Sequence, residues 1–134
     1  MNKAEILAME AGAELDALVL REIFGCNVEI RAMGWNEDGG PKYCYCLCEG
    51  TDKQYEHRDW EHHYGAAISP SEDISAAWQV WETMRAGDYD CYITHCKLGY
   101  EASFIKEKDF IAQAKAAPEA ICKAALLTRL EGGT

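Results

Sequence analysis

The sequence lacks several features that mark familiar functional classes. No apolar run approaches the roughly 20 residues of a membrane-spanning helix. Residues 1–5 lead directly into acidic amphipathic sequence that resembles no signal peptide. There is no G-x-S-x-G elbow, no phosphate-cradling glycine loop, no H-E-x-x-H motif and no GxGxxG fingerprint. The sequence therefore gives catalysis no specific support, and we expect neither an enzyme nor a membrane-bound protein.

Positive charge is also scarce. The 134 residues carry 13 Lys plus Arg against 23 Asp plus Glu, a formal net charge of −10. Binding to a nucleic acid polymer or to anionic lipid depends on clustered Lys and Arg, so this balance disfavours both. We expect a small molecule or a protein as the partner.

The composition otherwise indicates one globular domain over residues 1–134, because this length supports a single hydrophobic core. There are seven cysteines, an odd number. Without a secretory signal, that number favours free thiols in a reducing cytoplasm over a disulfide framework.

Three amphipathic helices are predicted. The first spans residues 2–24, with Asn2 and Glu5 as an N-terminal capping signature and Gly25 as the stop. The second begins at Ser69-Pro70-Ser71-Glu72, where Ser69 suits the N-cap, and ends at Gly87. The third runs from Pro118 to about Leu130.

Alternating apolar and polar residues predict strands between these helices. Residues 27–33 and 43–48 read as a hairpin, and residues 90–98, 100–105 and 109–115 as three further strands. Residues 51–65 read as a long polar loop. Hairpin-like connections favour an antiparallel sheet, so we predict an α+β fold in which three helices could cover both sheet faces.

Three thiols share one face of the second predicted strand, at Cys44, Cys46 and Cys48. A zinc site would need a fourth ligand from His62, His63 or Cys96. Structural zinc sites usually draw paired ligands from knuckle turns, and that spacing is absent here. Core packing is therefore favoured over metal, and no metal or other cofactor is expected. His95 and Cys96 are adjacent on a strand, so they point to opposite faces and do not suggest a catalytic pair.

Aromatic residues fall into two groups. Trp78 and Trp81 lie three apart on a predicted helix, which favours the core over a stacking platform. Trp60 and Tyr64 lie in the polar loop, where they either contact a ligand or partner chain or pin the loop to the body.

The charge is unevenly distributed. Residues 1–34 sum to −3, residues 35–73 to −6, residues 74–100 to −1 and residues 101–134 to zero. An anion is repelled least by the last segment, where the N-terminus of the Pro118 helix offers unpaired N–H groups. Lys115, Lys123 and Arg129 lie in or before that helix, and ordinary solvated surface is the alternative reading of all three.

Three stretches resemble the phage ABA sandwich domain family. The first comprises Met1–Gly12 and Leu15–Val19, the second is Ser69–Trp78 and the third is Ala117–Leu127. These stretches span the chain in order, whereas residues 35–65 match no recognisable motif. The resemblance implies an alpha-beta-alpha sandwich encoded by phages and prophages.

The same resemblance implies a function. Some proteins of this type are similar to anti-Thoeris sponges, which bind the defence signal glycocyclic ADP-ribose without cleaving it. Some also capture cyclic oligonucleotides and form homo-oligomers. Lys123 lies where an arginine is common in the family motif. Lysine keeps the positive charge of arginine but lacks its bidentate guanidinium.

The leading hypothesis is therefore a non-enzymatic sponge for a cyclic nucleotide in the host bacterial cytoplasm. By placement, Lys123 and Arg129 would hold phosphate, and Tyr92 and Phe104 would contact the base or ribose. The alternatives are an acidic protein-interaction module without a small-molecule ligand and a nucleotide-processing enzyme.

Overall fold

The computed structural model of the chain describes residues 2–32, 42–46 and 69–130. Within these ranges the chain forms four helices and five strands. In chain order they are α1 (Lys3–Ala8), α2 (Ala13–Phe24), β1 (Val28–Ala32), β2 (Lys42–Cys46), α3 (Ile74–Ala86), β3 (Asp90–His95), β4 (Tyr100–Ile105), β5 (Asp109–Ala114) and α4 (Ala117–Leu130). The predicted polar loop over residues 51–65 lies outside the described residues.

The first predicted helix is two helices, α1 and α2, and the single helix over residues 2–24 is wrong. Asn2 caps α1 as predicted, because its side-chain oxygen accepts from the N–H of Glu5 at 2.9 Å. The chain then becomes extended at Met9, and Gly12 adopts φ +150°. The N–H of Gly12 donates to the hydroxyl of Ser71 at 2.9 Å, a contact across 59 residues that helical spacing cannot reveal.

The start of α3 also differs from its prediction. Asp73, not Ser69, is the N-cap, and its carboxylate accepts from the N–H of Ser75 at 2.9 Å. Ser69 instead accepts the N–H groups of Glu72 and Asp73 through its carbonyl, closing a turn before the helix. Its hydroxyl donates to the Asp16 carboxylate at 2.8 Å. The Ser69–Glu72 segment does precede a helix as predicted, but the hydroxyl of Ser69 and the N–H of Ser71 donate to Asp16 of α2.

Two antiparallel sheets are present in the described residues, the hairpin β1–β2 and the sheet β3–β4–β5. In the larger sheet β4 is central. Its register aligns Phe104 with Cys91 and Phe110, and Ala102 with Ile93 and Ala112. These residues share the face that packs on the helices, because side chains alternate along a strand. Tyr92, Ser103 and Ile111 form a row on the opposite face.

The hydrophobic core is built around α4. This helix contacts α1, α2, α3, β4 and β5. Its residues from 120 to 128 are all buried, including Cys122, Lys123 and Thr128. The hairpin β1–β2 contacts α2. The α+β class with a mainly antiparallel arrangement is thus confirmed. The helices α3 and α4 contact the three-stranded sheet, and α1 and α2 contact α4.

Candidate functional site

A cleft with basic walls lies where the β4–β5 turn meets the last turn of α4. Its volume is about 430 Å³. That size is within the range of small-molecule sites, about 300–1,000 Å³. The residues that line it are Tyr89, Lys106, Glu107, Lys108, Phe110, Thr128 and Arg129. We refer to it as the basic cleft.

The turn positions two of its cations. The N–H of Lys106 donates to the carbonyl of Lys108 at 3.2 Å, which closes the turn between the two strands. The Lys106 ammonium donates to the carbonyl of Gly87 at 3.2 Å and lies 5.4 Å from the centre of the Tyr89 ring. A cation over a ring face is attracted to it, so Lys106 is held against the Tyr89 wall.

Lys108 and Arg129 are exposed and form no ion pair with any residue in the described ranges. Within the described lining, three cations and one carboxylate, that of Glu107, give a formal charge of +2. The carboxyl end of α4 contributes about −0.5 of a charge. The cleft is therefore net positive in a chain whose total charge is −10.

The floor of the cleft is formed by buried side chains. Phe110 is 8 % exposed and Thr128 is 5 % exposed. The Thr128 hydroxyl donates to the carbonyl of Ala125 at 2.6 Å, so its proton is committed to the helix backbone. The arrangement offers cations and aromatic rings to a ligand, and the Thr128 hydroxyl is not available as a donor.

Of the four residues predicted to bind a ligand, Arg129 lies in the basic cleft and Lys123 does not. Lys123 is 3 % exposed. Its ammonium donates to Glu119 Oε2 at 2.9 Å and to the carbonyl of Leu7 at 3.1 Å. Six residues along a helix amount to about 9 Å and about 240° of rotation, so Lys123 and Arg129 face different surroundings.

The two predicted aromatic contacts lie on opposite faces of the sheet. Phe104 is fully buried beneath the edge of Trp81, with ring centres 5.6 Å apart. Tyr92 is 55 % exposed on the face away from the helices. The structure therefore does not bring together Tyr92, Phe104, Lys123 and Arg129. Lys106 and Lys108 do lie beside Arg129 in the cleft. They fall between the predicted strands 100–105 and 109–115, and their signal in the sequence is a lysine on each side of a turn glutamate.

The predicted anion site at the start of the last helix has different surroundings. Beside Ala117 and Ile121 of α4 lies an apolar groove of about 280 Å³, whose other described walls are Ile74, Trp78, Ile93, Thr94, His95 and Tyr100. No lysine or arginine is among these lining residues. The N–H of Ala120 already donates to the carbonyl of Ala116 at 3.2 Å. The local chemistry favours an apolar group over phosphate.

Other titratable groups are partly or fully buried outside the basic cleft. Desolvation raises the pKa of the Asp16 carboxyl, partly offset by hydrogen bonds from Ser71 and Ser69. Burial raises the pKa of the Cys122 thiol well above its ordinary value and also raises that of Cys91. Both changes keep these thiols protonated and therefore poorly nucleophilic.

Cys91, Cys96 and Cys122 are free thiols. Across residues 2–32, 42–46 and 69–130, no three His, Cys, Asp or Glu side chains group as a metal site. The side chains of Cys44, Cys46 and Cys48, and the loop aromatics Trp60 and Tyr64, lie outside what the structure describes.

Among the predicted core tryptophans, Trp81 is 8 % exposed, whereas Trp78 stacks on it and is 47 % exposed. None of the described helices is both long and apolar enough to cross a bilayer.

The fold and the comparisons define the class of protein. The phage ABA sandwich domain matches residues 23–126, so the chain belongs to that family. A crystal structure of a phage protein from Bacillus cereus ATCC 14579 is similar, with a TM-score of 0.54 and 27 % sequence identity. That similarity covers 89 % of this chain and 91 % of the other. No curated protein matches the chain.

Proposed function

We propose that this domain binds a small phosphate-bearing nucleotide in the basic cleft and sequesters it without cleaving it. The observation that carries the proposal is the convergence of Lys106, Lys108 and Arg129 on one cleft of a strongly acidic chain. Because the rest of the chain is acidic, these cations favour a phosphate ligand that is small enough to stay within the cleft. A polyanion would meet the surrounding carboxylates, whereas a small nucleotide need not.

Size and charge agree with a cyclic nucleotide. A pyrophosphate carries two negative charges, which equals the formal +2 of the lining. Arg129 provides a planar fork that can hold two phosphate oxygens, and the lysines act as point charges. The ring of Tyr89 supplies the aromatic wall on which a base would stack, above the buried floor at Phe110.

The lining also supports binding without turnover. Hydrolysis or transfer needs a nucleophile or a positioned acid–base group. Among the described residues that line the basic cleft there is no Cys or His, and the Thr128 hydroxyl donates to the carbonyl of Ala125. Glu107 is the single carboxylate, on an exposed turn. We therefore propose a sponge and not an enzyme.

The resemblance to anti-Thoeris sponges supplies the ligand, glycocyclic ADP-ribose, with cyclic oligonucleotides second. In this proposal the protein acts in the host bacterial cytoplasm, where the signal is made, and works as a homo-oligomer. Light scattering after size exclusion, with and without ligand, would measure the mass. A monomer under both conditions would remove the oligomer from the proposal.

Calorimetry with glycocyclic ADP-ribose tests the proposal directly. We expect Lys108→Gln/Arg129→Gln to weaken binding by at least about 100-fold, because each charge-assisted hydrogen bond contributes about 1.5–3 kcal/mol. The matched control, Lys97→Gln/Lys115→Gln, removes the same charge from exposed positions outside the cleft. It should change the dissociation constant by less than about threefold, through long-range charge alone.

Three outcomes would contradict the proposal. One is the absence of heat at micromolar protein with glycocyclic ADP-ribose and with cyclic dinucleotides. Another is equal weakening by the cleft pair and the control pair. The third concerns turnover: ligand recovered after heat denaturation of the complex should have its original mass, and altered product would indicate an enzyme.

A further inference from the structure

The apolar groove between α3 and β3 is a second surface with its own chemistry. Trp78 and Ile74 of α3 are 47 % and 53 % exposed, and Ile93 of β3 is 36 % exposed. These side chains face one another across the groove. Large apolar side chains exposed together mark interaction sites more often than isolated ones do.

The strand beside this groove, β3, lies at an edge of the sheet formed by the described residues. β3 pairs with β4 on one side and with no described strand on the other. Cys96 and Gly99 exchange both of their backbone hydrogen bonds, at 3.2 and 3.1 Å. Such exchanging pairs alternate with non-exchanging pairs along an antiparallel ladder. Counting back from Cys96, Ile93 and His95 fall at positions whose N–H and C=O groups point away from β4.

Backbone and side-chain features therefore coincide. Ile93 and His95 have backbone groups that pair with no strand in the part of the chain that the structure describes, and both residues line the apolar groove. A helix beside an edge strand is the geometry in which an added strand gains affinity from main-chain hydrogen bonds and specificity from a pocket. The occupant that satisfies both features is an extended peptide with one large apolar side chain.

The charge of the residues around the groove favours a positively charged peptide. Residues 72–97, which include α3 and β3, contain five carboxylates against two cations, Lys97 and Arg85, and Arg85 lies 3.6 Å from Glu82. A segment rich in Lys or Arg is attracted to this surface. A second copy of the chain would bring another net charge of −10 to the same place.

We propose that the edge of β3 binds an extended, basic segment of a partner protein. The segment adds a strand to the sheet and inserts an aromatic or large aliphatic side chain between Trp78 and Ile93. This interaction is separate from the basic cleft, which lies at the other end of β4. The two proposals can therefore fail independently.

The test begins with a display library of random eight-residue peptides selected on the intact protein. We expect selected peptides to alternate, with Lys or Arg on one face and a large apolar residue on the other. The best peptide is then synthesised and titrated. Trp78→Ala should weaken it at least about tenfold, equivalent to about 1.4 kcal/mol. The control Ile111→Ala removes an apolar side chain that is 39 % exposed on the opposite sheet face and should change affinity less than about twofold.

Backbone pairing is tested by scanning N-methyl groups along the synthetic peptide. An added strand predicts that methylation at alternate residues abolishes binding and that methylation between them does not. Uniform sensitivity or no sensitivity would overturn strand addition. So would a failure to enrich any peptide, or enrichment of acidic peptides.

Self-association provides the last check. A dimer that dissociates on Trp78→Ala, measured by light scattering, would mean that a second copy occupies the groove and would overturn a basic partner. Circular dichroism and thermal unfolding of both variants confirm that each remains folded before its affinity is compared.

Discussion

Lys123 and Glu119 form a buried ion pair on one face of α4, with Nζ and Oε2 2.9 Å apart. Their side chains are 4 % and 20 % exposed. The same ammonium donates to the carbonyl of Leu7 near the end of α1. A residue that looked from sequence like a phosphate contact thus joins the last helix to the first.

Lys123→Met should destabilise the protein by about 2–3 kcal/mol, because it leaves a partly buried carboxylate and a carbonyl without their donor. Urea unfolding followed by circular dichroism measures this. Lys115→Met, at an exposed position, is the matched control and should stay within about 0.5 kcal/mol of the native chain. A Lys123→Met protein as stable as the control would show that the pair contributes nothing. In the folded variant, affinity for glycocyclic ADP-ribose should be unchanged.

Asp16 should make part of the stability depend on pH. Its folded-state pKa is raised above the ordinary 3.8 by burial, so between those two values the folded protein binds more protons than the unfolded chain. The stabilisation that arises from the raised pKa of Asp16 is therefore complete below about pH 3.8 and is lost as pH rises through the folded-state pKa. The difference in unfolding free energy between the native chain and Asp16→Asn should fall over that window.

Urea titrations at intervals from pH 3 to pH 7 would measure this difference. Glu14→Gln, which changes an exposed carboxyl on the same helix, serves as the control and should give a smaller pH-dependent difference. A difference for Asp16→Asn that rises with pH would contradict the stated direction of the pKa.

Gly99 should not tolerate a side chain. Its φ is +150°, and a Cβ there would lie 2.5 Å from the carbonyl oxygen of Lys115. Gly99→Ala should cost at least about 2 kcal/mol, because both the backbone conformation and the backbone contact are unfavourable. Gly87→Ala places its Cβ no closer than 3.4 Å to Met84 and should cost less than about 1 kcal/mol. Thermal and urea midpoints would rank the two, and equal losses would contradict the steric argument.

Thiol reactivity should separate Cys122 from Cys96. Cys122 is fully buried with a raised pKa, whereas Cys96 is half-buried after the end of β3. Alkylation by iodoacetamide requires an accessible thiolate. Peptide mapping by mass spectrometry should find Cys96 modified first in the native protein and both modified in urea. Rapid native labelling of Cys122 would mean that α4 is not enclosed.

The strands were predictable because their pattern is local. β5 alternates exposed and buried residues along its whole length, with Phe110, Ala112 and Ala114 facing inward. That period can be read without knowing the neighbouring strands. The ends of the final helix, the hairpin β1–β2 and the stop at Gly25 follow from equally local signals.

The residues that sequence misplaced depend on long-range contacts. Phe104 lies in β4, which is central because of strand order, and strand order is not encoded in the alternation of one strand. The interruption between α1 and α2 depends on Gly12 meeting Ser71. The basic cleft likewise joins the β4–β5 turn to Arg129 of α4, two regions whose proximity only the tertiary fold determines.

The enclosure of α4 has a consequence for how the chain acquires its structure during synthesis. Every element that α4 contacts precedes it, from α1 to β5. On the ribosome those elements emerge without the surface that buries their apolar faces. Folding of the core must therefore wait until α4 has been translated, and the high sequence separation of its contacts with α1 favours slow, late closure. During that interval the nascent polypeptide is the form most exposed to proteases and chaperones.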